Sequence, residues 1–263
     1  MTQSNKRWAI VVAGIVVWVL VVYPAYYVVH KPLSLANLQA LANVAGDLAT
    51  FLLLFGIALA LGSRLTRRMD YQSRLERLVF SAGLGLCIIA LLTFGLAVVG
   101  LVYRWLFWTL LMVAALVLWR ELRYWLAELR HLQFVRPQGA WSVFLSIFVL
   151  FTLWVCLMST LLPPIEWDSW VYHLVGPARY ISAHRLTYDF DNYYLFFPSF
   201  VEMLFTAGMA LKSDIVARLV HFGYLLLTLG ALYAFALRYW RRRFGLTAVA
   251  LFLSIPTAVL RSD

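Results

Sequence analysis

Two carboxylates, Glu166 and Asp168, lie where an apolar run of the sequence ends, within the stretch from Pro163 to His173. A carboxylate is costly near hydrocarbon and is usually kept there for proton transfer or ligand binding. A proton-transfer or ligand role is therefore the first hypothesis for Asp168 or Glu166, and Glu166 could also orient an acceptor. Helix capping is the structural alternative, in which Asp168 or Ser169 accepts hydrogen bonds from backbone N–H groups.

Eight further residues around these acids are candidates for substrate binding. Guanidinium and imidazole groups can bind phosphate or other anions, and aromatic rings can stack on sugars or on a lipid chain. The candidates are Trp167, Tyr172, His173, Arg179, His184, Arg185, Tyr193 and Tyr194. Each type has a structural alternative, because arginines extend toward lipid headgroups, aromatic residues form belts at membrane surfaces, and a single histidine often only packs.

Metal binding and disulfide chemistry have little support in the sequence. Glu166 and Asp168 could share a divalent cation, but two acids alone make a weak metal site and no third ligand is evident nearby. Cys87 and Cys156 both lie inside apolar runs, without the spacing of a metal site or a disulfide framework. We therefore expect no metal and no other cofactor.

The composition is that of an integral membrane protein. Hydrophobic residues make up 63% of the 263 residues and charged residues 13%, against about 45–50% and about 25% in soluble domains. The net charge of +10 comes mainly from arginines clustered between apolar runs, which is typical of orientation signals. This pattern disfavours nucleic acid as a partner and predicts an all-α, polytopic transmembrane bundle.

Seven segments approach the ~20 apolar residues that a membrane-spanning helix needs. They are residues 8–29, 40–62, 78–102, 104–120, 141–162, 213–237 and 244–260. Arginine-rich segments fall at alternate connections, which predicts a cytoplasmic N-terminus and places the segment 163–197 on the outer side of the membrane. We expect a multi-pass protein of the cytoplasmic membrane.

The segment 163–197 is long for a connection, and long loops tend to carry function. From Asp168 to Ala183 the apolar residues follow helical spacing, which predicts an interfacial helix. The same spacing would place Asp168, Tyr172 and Arg179 on one face of that helix. Pro177 would break or kink that helix, so two short helices are the alternative. A second amphipathic stretch, 198–211, fits either another surface helix or the start of the sixth span.

The sequence divides near Arg136-Pro137-Gln138-Gly139 into a four-helix transmembrane region, 1–136, and a loop-bearing module, 137–263. In the second module, the exit Pro163-Pro164 and the motif Asp168-x-x-x-Tyr172-His173-Leu174 resemble the GT-C superfamily of membrane glycosyltransferases. The stretch from about Trp141 to Asp263 is similar to protein O-mannosyltransferases and aminoarabinose transferases, glycosyltransferase family 39.

The resemblance implies transfer of a sugar from a polyprenyl-phosphate donor to an acceptor on the outer face, with Asp168 as general base. Many members of that group carry Asp-Glu at this point, whereas here Ser169 follows Asp168 and the neighbouring acid, Glu166, precedes it. The superfamily's later helices would lie beyond residue 250, so we expect the chain to be a fragment of a longer protein.

Two other functions are consistent with a multi-span chain. A transporter or flippase-like protein usually places ionisable residues and broken helices at the bilayer midplane. Here nearly every acid lies in a loop, with Asp47 as the main exception, which disfavours transport. An inactive membrane scaffold is the third alternative.

Overall fold

The computed structural model describes residue 14, residues 17–19, 21–22 and 24–26, and then residues 34–131, 139–188, 191–196, 199–240 and 242–255. These residues form helices and connections, with no strand among them. Contacts divide the chain into residues 1–45 and 46–263.

Nine α-helices are described in full. They are α1 Leu35–Leu65, α2 Arg74–Val98, α3 Arg104–Val117, α4 Trp119–Leu129, α5 Ala140–Leu161, α6 Val175–Ala183, α7 Phe200–Leu211, α8 Asp214–Tyr239 and α9 Arg242–Leu253. A short 3₁₀ turn, Thr66–Arg68, extends α1, and another, Tyr193–Phe196, precedes α7. The all-α class predicted from composition is therefore confirmed.

Four of the described helices are long and apolar enough to cross a membrane, namely α1 with its 3₁₀ extension, α2, α5 and α8. They correspond to the predicted spans 40–62, 78–102, 141–162 and 213–237, and they indicate a membrane protein. The predicted span 104–120 corresponds to a bent pair, α3 and α4, which meet at an angle of 74° and are long and apolar enough for a fifth span only when taken together. The apolar sequence gives way there to Arg120 and Glu121, which favour water over hydrocarbon.

Several expectations fall outside the described residues. These are most of the first span, 8–29, the seam at Arg136-Pro137-Gln138, and the end of the seventh span after Ile255. The described part of that last segment is α9, whose apolar portion from Phe244 to Leu253 is shorter than a span.

The connections of the bundle gather at two opposite ends. At one end, which we call the basic end, residues 64–77 meet α4 and the end of α8 through the salt bridges Arg64–Glu121, Arg74–Glu128 and Arg238–Glu76. At the other, which we call the loop end, the turn 99–103 after α2 meets residues 162–199. There the Val102 N–H donates to the His184 carbonyl (3.0 Å) and the Leu186 N–H to the Ala97 carbonyl (2.8 Å).

The backbones of helices α1 and α2 are in direct contact where the two helices cross. An added Cβ at Gly62 would lie 1.8 Å from the Ser81 carbonyl oxygen, and one at Gly85 would lie 1.6 Å from the Ala58 carbonyl oxygen. Only glycine fits at both positions. Small residues spaced four apart allow such close approach of helices in membranes, where van der Waals packing replaces the hydrophobic effect between helices.

Helix α7 is a separate, buried helix that packs against α2, α6 and α8. It ends at Leu211, and α8 begins at Asp214, so the stretch 198–211 is neither a surface helix nor the start of the sixth span. The close approach of α7 and α8 at Gly208, where an added Cβ would lie 3.1 Å from the Ala217 nitrogen, keeps α7 inside the bundle. This helix brings a carboxylate to the predicted site.

Candidate functional site

The candidate site begins where α5 ends, and α8 fixes that point. Arg218, which is only 3% exposed, donates a hydrogen bond to the carbonyl of Leu162 and pairs with Asp214 one helical turn earlier, at 3.1 Å. A buried guanidinium satisfies a helix-terminal carbonyl that would otherwise lack a partner. The acidic stretch therefore leaves the bundle at a rigid position.

Asp168 opens a π-helical turn, Ser169–His173, rather than a regular α-helix. Its side chain makes no capping hydrogen bond to this turn, and no other residue of the described ranges donates a hydrogen bond to its carboxylate. The capping alternative is therefore absent for Asp168. The half-buried carboxylate remains open to an incoming donor such as a hydroxyl group.

The predicted interfacial helix is two pieces, as Pro177 suggested. The π-helical turn ends at His173, and α6 runs from Val175 to Ala183 with Pro177 in its first turn. Proline is tolerated there because first-turn N–H groups have no partner within the helix. The π turn also changes the rotation per residue, so the shared helix face predicted for Asp168 and Arg179 does not apply.

His173 is held by a carboxylate from α7. Its Nδ1 lies 2.8 Å from Oε1 of Glu202, and the Glu202 side chain is 12% exposed. A carboxylate on Nδ1 fixes the orientation of the imidazole and leaves Nε2 for a substrate. Glu202 was missed in the sequence, where its only signal is a single acid within the apolar stretch that forms α7.

Four aromatic side chains stand beside Asp168 and form what we call the aromatic wall: Trp167, Tyr172, Tyr193 and Tyr194. The Tyr172 and Tyr194 rings stack at 5.5 Å, those of Tyr193 and Tyr194 at 4.0 Å, and Trp167 meets Tyr194 edge-on at 5.5 Å. Trp167 and Tyr193 are exposed and Tyr172 and Tyr194 are half-buried, and ring faces preassembled in this way are suited to stacking on a sugar.

Tyr194 reports the charge around this wall. A hydrogen bond with Tyr193 raises the pKa of Tyr194 above its usual value, and desolvation and the charges of Tyr193, Asp168 and Tyr172 raise it further. Since a nearby negative charge disfavours a phenolate, this effect places the Asp168 carboxylate within electrostatic reach of the ring.

A narrow cleft separates the aromatic wall from α7. Its lining residues are Tyr172, Gly176, Tyr180, Tyr194, Leu195, Ser199 and Glu202, and only about 10 Å³ of it is open to the centre of a water molecule. That space admits a single water. Asp168 is not among the residues of this lining.

The three basic candidates for the leaving phosphate take different positions. Arg179 binds Asp191 through two hydrogen bonds of 2.9 and 3.1 Å, and this contact holds the pKa of Asp191 below its usual range. His184 has a left-handed backbone (φ 58°), and its Nδ1–H donates a hydrogen bond to the Val102 carbonyl at 3.0 Å. Arg185 is exposed.

His184 also stacks on Tyr103, with ring centroids 4.2 Å apart. Its described contacts thus join α6 to the turn after α2. The other acid, Glu166, is half-buried, and its backbone carbonyl accepts from Trp170 N–H at 3.4 Å. Within the described ranges, no three His, Cys, Asp or Glu side chains are grouped closely enough to hold a metal ion.

The structure thus brings Asp168, the aromatic wall and the pair His173–Glu202 together at the loop end, while Arg179 and His184 are engaged in contacts that shape the segment. No family model, curated protein or solved structure matches the chain. The resemblance to GT-C glycosyltransferases therefore stays a hypothesis, argued from the site alone.

Proposed function

We propose that the protein is a multi-pass glycosyltransferase of the cytoplasmic membrane, with the loop end on the outer side. It moves a sugar from a polyprenyl-phosphate donor to an acceptor hydroxyl, and the substrate is therefore a lipid-linked sugar. The observation that carries the proposal is the grouping of an open carboxylate, Asp168, with aromatic rings and a carboxylate-held histidine where α5 leaves the bundle. The bond between the sugar and the phosphate of a lipid-linked donor lies at the membrane surface, which is where α5 would leave the bilayer in this proposal.

In the proposed reaction, the Asp168 carboxylate takes the proton of the acceptor hydroxyl as the acceptor oxygen attacks the anomeric carbon. The bond from that carbon to the donor phosphate breaks, and the polyprenyl phosphate leaves with the electron pair. Attack from the face opposite to the phosphate inverts the anomeric centre. Glu166, two residues earlier, orients the acceptor.

His173 serves the leaving phosphate in this scheme. When both ring nitrogens carry a hydrogen, Nδ1–H donates to Glu202 and Nε2–H donates to a phosphate oxygen. Tyr172 and Tyr194 line the cleft next to Glu202, and Trp167 extends the wall on which the sugar stacks.

The test is turnover by the protein in liposomes with a panel of radiolabelled polyprenyl-phosphate sugars. At least one donor should give labelled acceptor together with polyprenyl phosphate. Glu202→Gln should lower the rate by about 10²-fold, the lower range for acid–base groups, because the histidine loses its charge partner. Asp70→Asn, an exposed acid at the basic end, is the matched control and should leave the rate unchanged. Absence of turnover and of binding for every donor would exclude the proposal.

A transporter is the second candidate, because one buried ion pair favours it. Asp47 in α1 is 2% exposed and lies 2.9 Å from Lys212 Nζ, and ionisable residues inside membranes often mark ion or substrate pathways. Uptake of a solute into sealed liposomes, abolished by Asp47→Asn and unaffected by Glu202→Gln, would favour transport over sugar transfer.

A further inference from the structure

A pocket of about 300 Å³ opens at the basic end, far along the bundle from the loop end. Three arginines and two acids contribute to its lining: Arg67, Arg74, Arg77, Asp70 and Glu128. We call it the basic pocket. Its arginines exceed its acids by one positive charge. A singly charged anion fits this balance.

The basic pocket keeps unused hydrogen-bond donors. Arg67 is exposed and contacts no acceptor in the part of the chain that the structure describes. Arg77 donates to Tyr124 Oη (2.9 Å), which uses one of its five N–H groups. Trp125, also in the lining, is 3% exposed, and its buried indole N–H has no acceptor among the described residues.

A buried donor without an acceptor is unusual in a folded protein and calls for an explanation such as a missing ligand. Here it occurs in the lining of a pocket that also contains three guanidinium groups. Guanidinium and indole N–H groups suit phosphate oxygens, which accept several hydrogen bonds at once.

Next to the basic pocket lies an apolar groove of about 810 Å³ between α2 and α8, which we call the acyl groove. Val79, Phe80 and Leu84 line it from α2, and Leu232 and Phe235 from α8. Met69 belongs to the lining of both cavities, so the two are neighbours. The salt bridge between Glu76 and Arg238 lies in the lining of the groove.

We propose that the basic pocket and the acyl groove together bind one anionic glycerophospholipid. Its phosphodiester lies among Arg67, Arg77 and Trp125, and one acyl chain follows the groove past Gly83. The single negative charge of a phosphodiester matches the charge of the pocket, whereas a choline headgroup would add a cation beside the arginines. A soluble phosphate would leave the groove without an occupant. This proposal does not depend on sugar transfer.

The experiment measures lipid retention by native mass spectrometry after delipidated protein is mixed with equal amounts of phosphatidylglycerol and phosphatidylcholine. The wild-type protein should retain one phosphatidylglycerol, preferred about tenfold over phosphatidylcholine, as one charge-assisted hydrogen bond would give. Equal retention of the two lipids would overturn the proposal. So would binding of glycerol phosphate, which has no acyl chain, as tightly as the lipid.

Two variants separate the headgroup site from the chain site. Arg67→Gln should reduce phosphatidylglycerol retention about tenfold, while Arg68→Gln, its exposed neighbour outside the pocket lining, should change it less than twofold. Equal losses in both variants would reveal a general surface charge effect and overturn the site. Gly83→Phe should also block retention, because open space lies over Gly83 and its side chain would fill the groove.

Both variants should fold, since Arg67 is exposed and an added Cβ at Gly83 meets no atom within 4 Å. Unchanged thermal unfolding in lipid-free detergent checks this. Retention that survives Gly83→Phe in a folded protein would show that the chain lies elsewhere and would overturn the assignment of the groove.

Discussion

The buried ion pair between Asp47 and Lys212 should be the most costly polar contact to break in the bundle. Asp47 Oδ1 lies 2.9 Å from Lys212 Nζ and accepts a hydrogen bond from Ser213 Oγ at 2.7 Å. The two side chains differ in exposure, because that of Asp47 is 2% exposed and that of Lys212 is 24% exposed. The lysine stem passes over Gly46, where any added Cβ would lie 2.9 Å from Lys212 Cε.

This difference predicts unequal effects of the two single variants. Lys212→Met leaves the carboxylate buried without its cation and should lower the free energy of unfolding by about 3 kcal/mol, the lower end for a broken buried pair, since water partly reaches the lysine. Asp47→Asn lets the ammonium turn toward water and should cost only about 1–2 kcal/mol. The double variant should lose less free energy of unfolding than the two single variants lose together, and the difference should be about 1–2 kcal/mol.

Reversible unfolding of the purified protein in mixed micelles, followed by circular dichroism, measures all four forms. The Lys212→Met loss corresponds to a fall in Tm of about 6–12 °C by the scaling known for soluble domains. An equal or smaller loss of stability in Lys212→Met than in Asp47→Asn would contradict this prediction. So would a double variant whose loss in free energy of unfolding equals the sum of the two single losses.

Two further predictions concern backbone packing and pH. Gly85→Ala should destabilise the protein strongly, because its Cβ would lie 1.6 Å from the Ala58 carbonyl oxygen, whereas Gly83→Ala, with open space around it, should have little effect on Tm. The ion pair of Asp191 with Arg179 lowers the pKa of Asp191, so its stabilising effect is present above the ordinary carboxyl pKa and is lost as pH falls through the lowered value. Thermal unfolding of the wild type and Asp191→Asn should therefore differ slightly near neutral pH and converge in acid, and a difference that grows in acid would contradict this sign.

The long apolar helices could be predicted from the sequence because length and composition alone define a membrane span. The bend between α3 and α4 was missed, since an apolar window extended to residue 120 although the helix turns at Leu118. The position of α7 could not be predicted either. Its apolar sequence suits a surface, a core or a span, and only packing against α2 and α8 decides among them.

The candidate site was predicted in part. The grouping of Asp168 with its aromatic neighbours could be proposed from local spacing, because these residues lie within one segment. The partner of His173 could not be found this way, since Glu202 is 29 residues further along the chain and only the tertiary fold brings them together. The π-helical turn was also missed, and with it the true direction of Arg179, whose described carboxylate partner is Asp191.

The most direct test of the central claim compares sugar transfer by the wild-type protein and Asp168→Asn in liposomes, with polyprenyl-phosphate sugar as donor. Asparagine keeps the shape of the side chain but cannot accept the hydroxyl proton. The rate of sugar transfer by Asp168→Asn should be about 10²–10⁴-fold lower than that of the wild type, while donor binding and Tm stay unchanged. Transfer at the wild-type rate by a folded Asp168→Asn protein would contradict it.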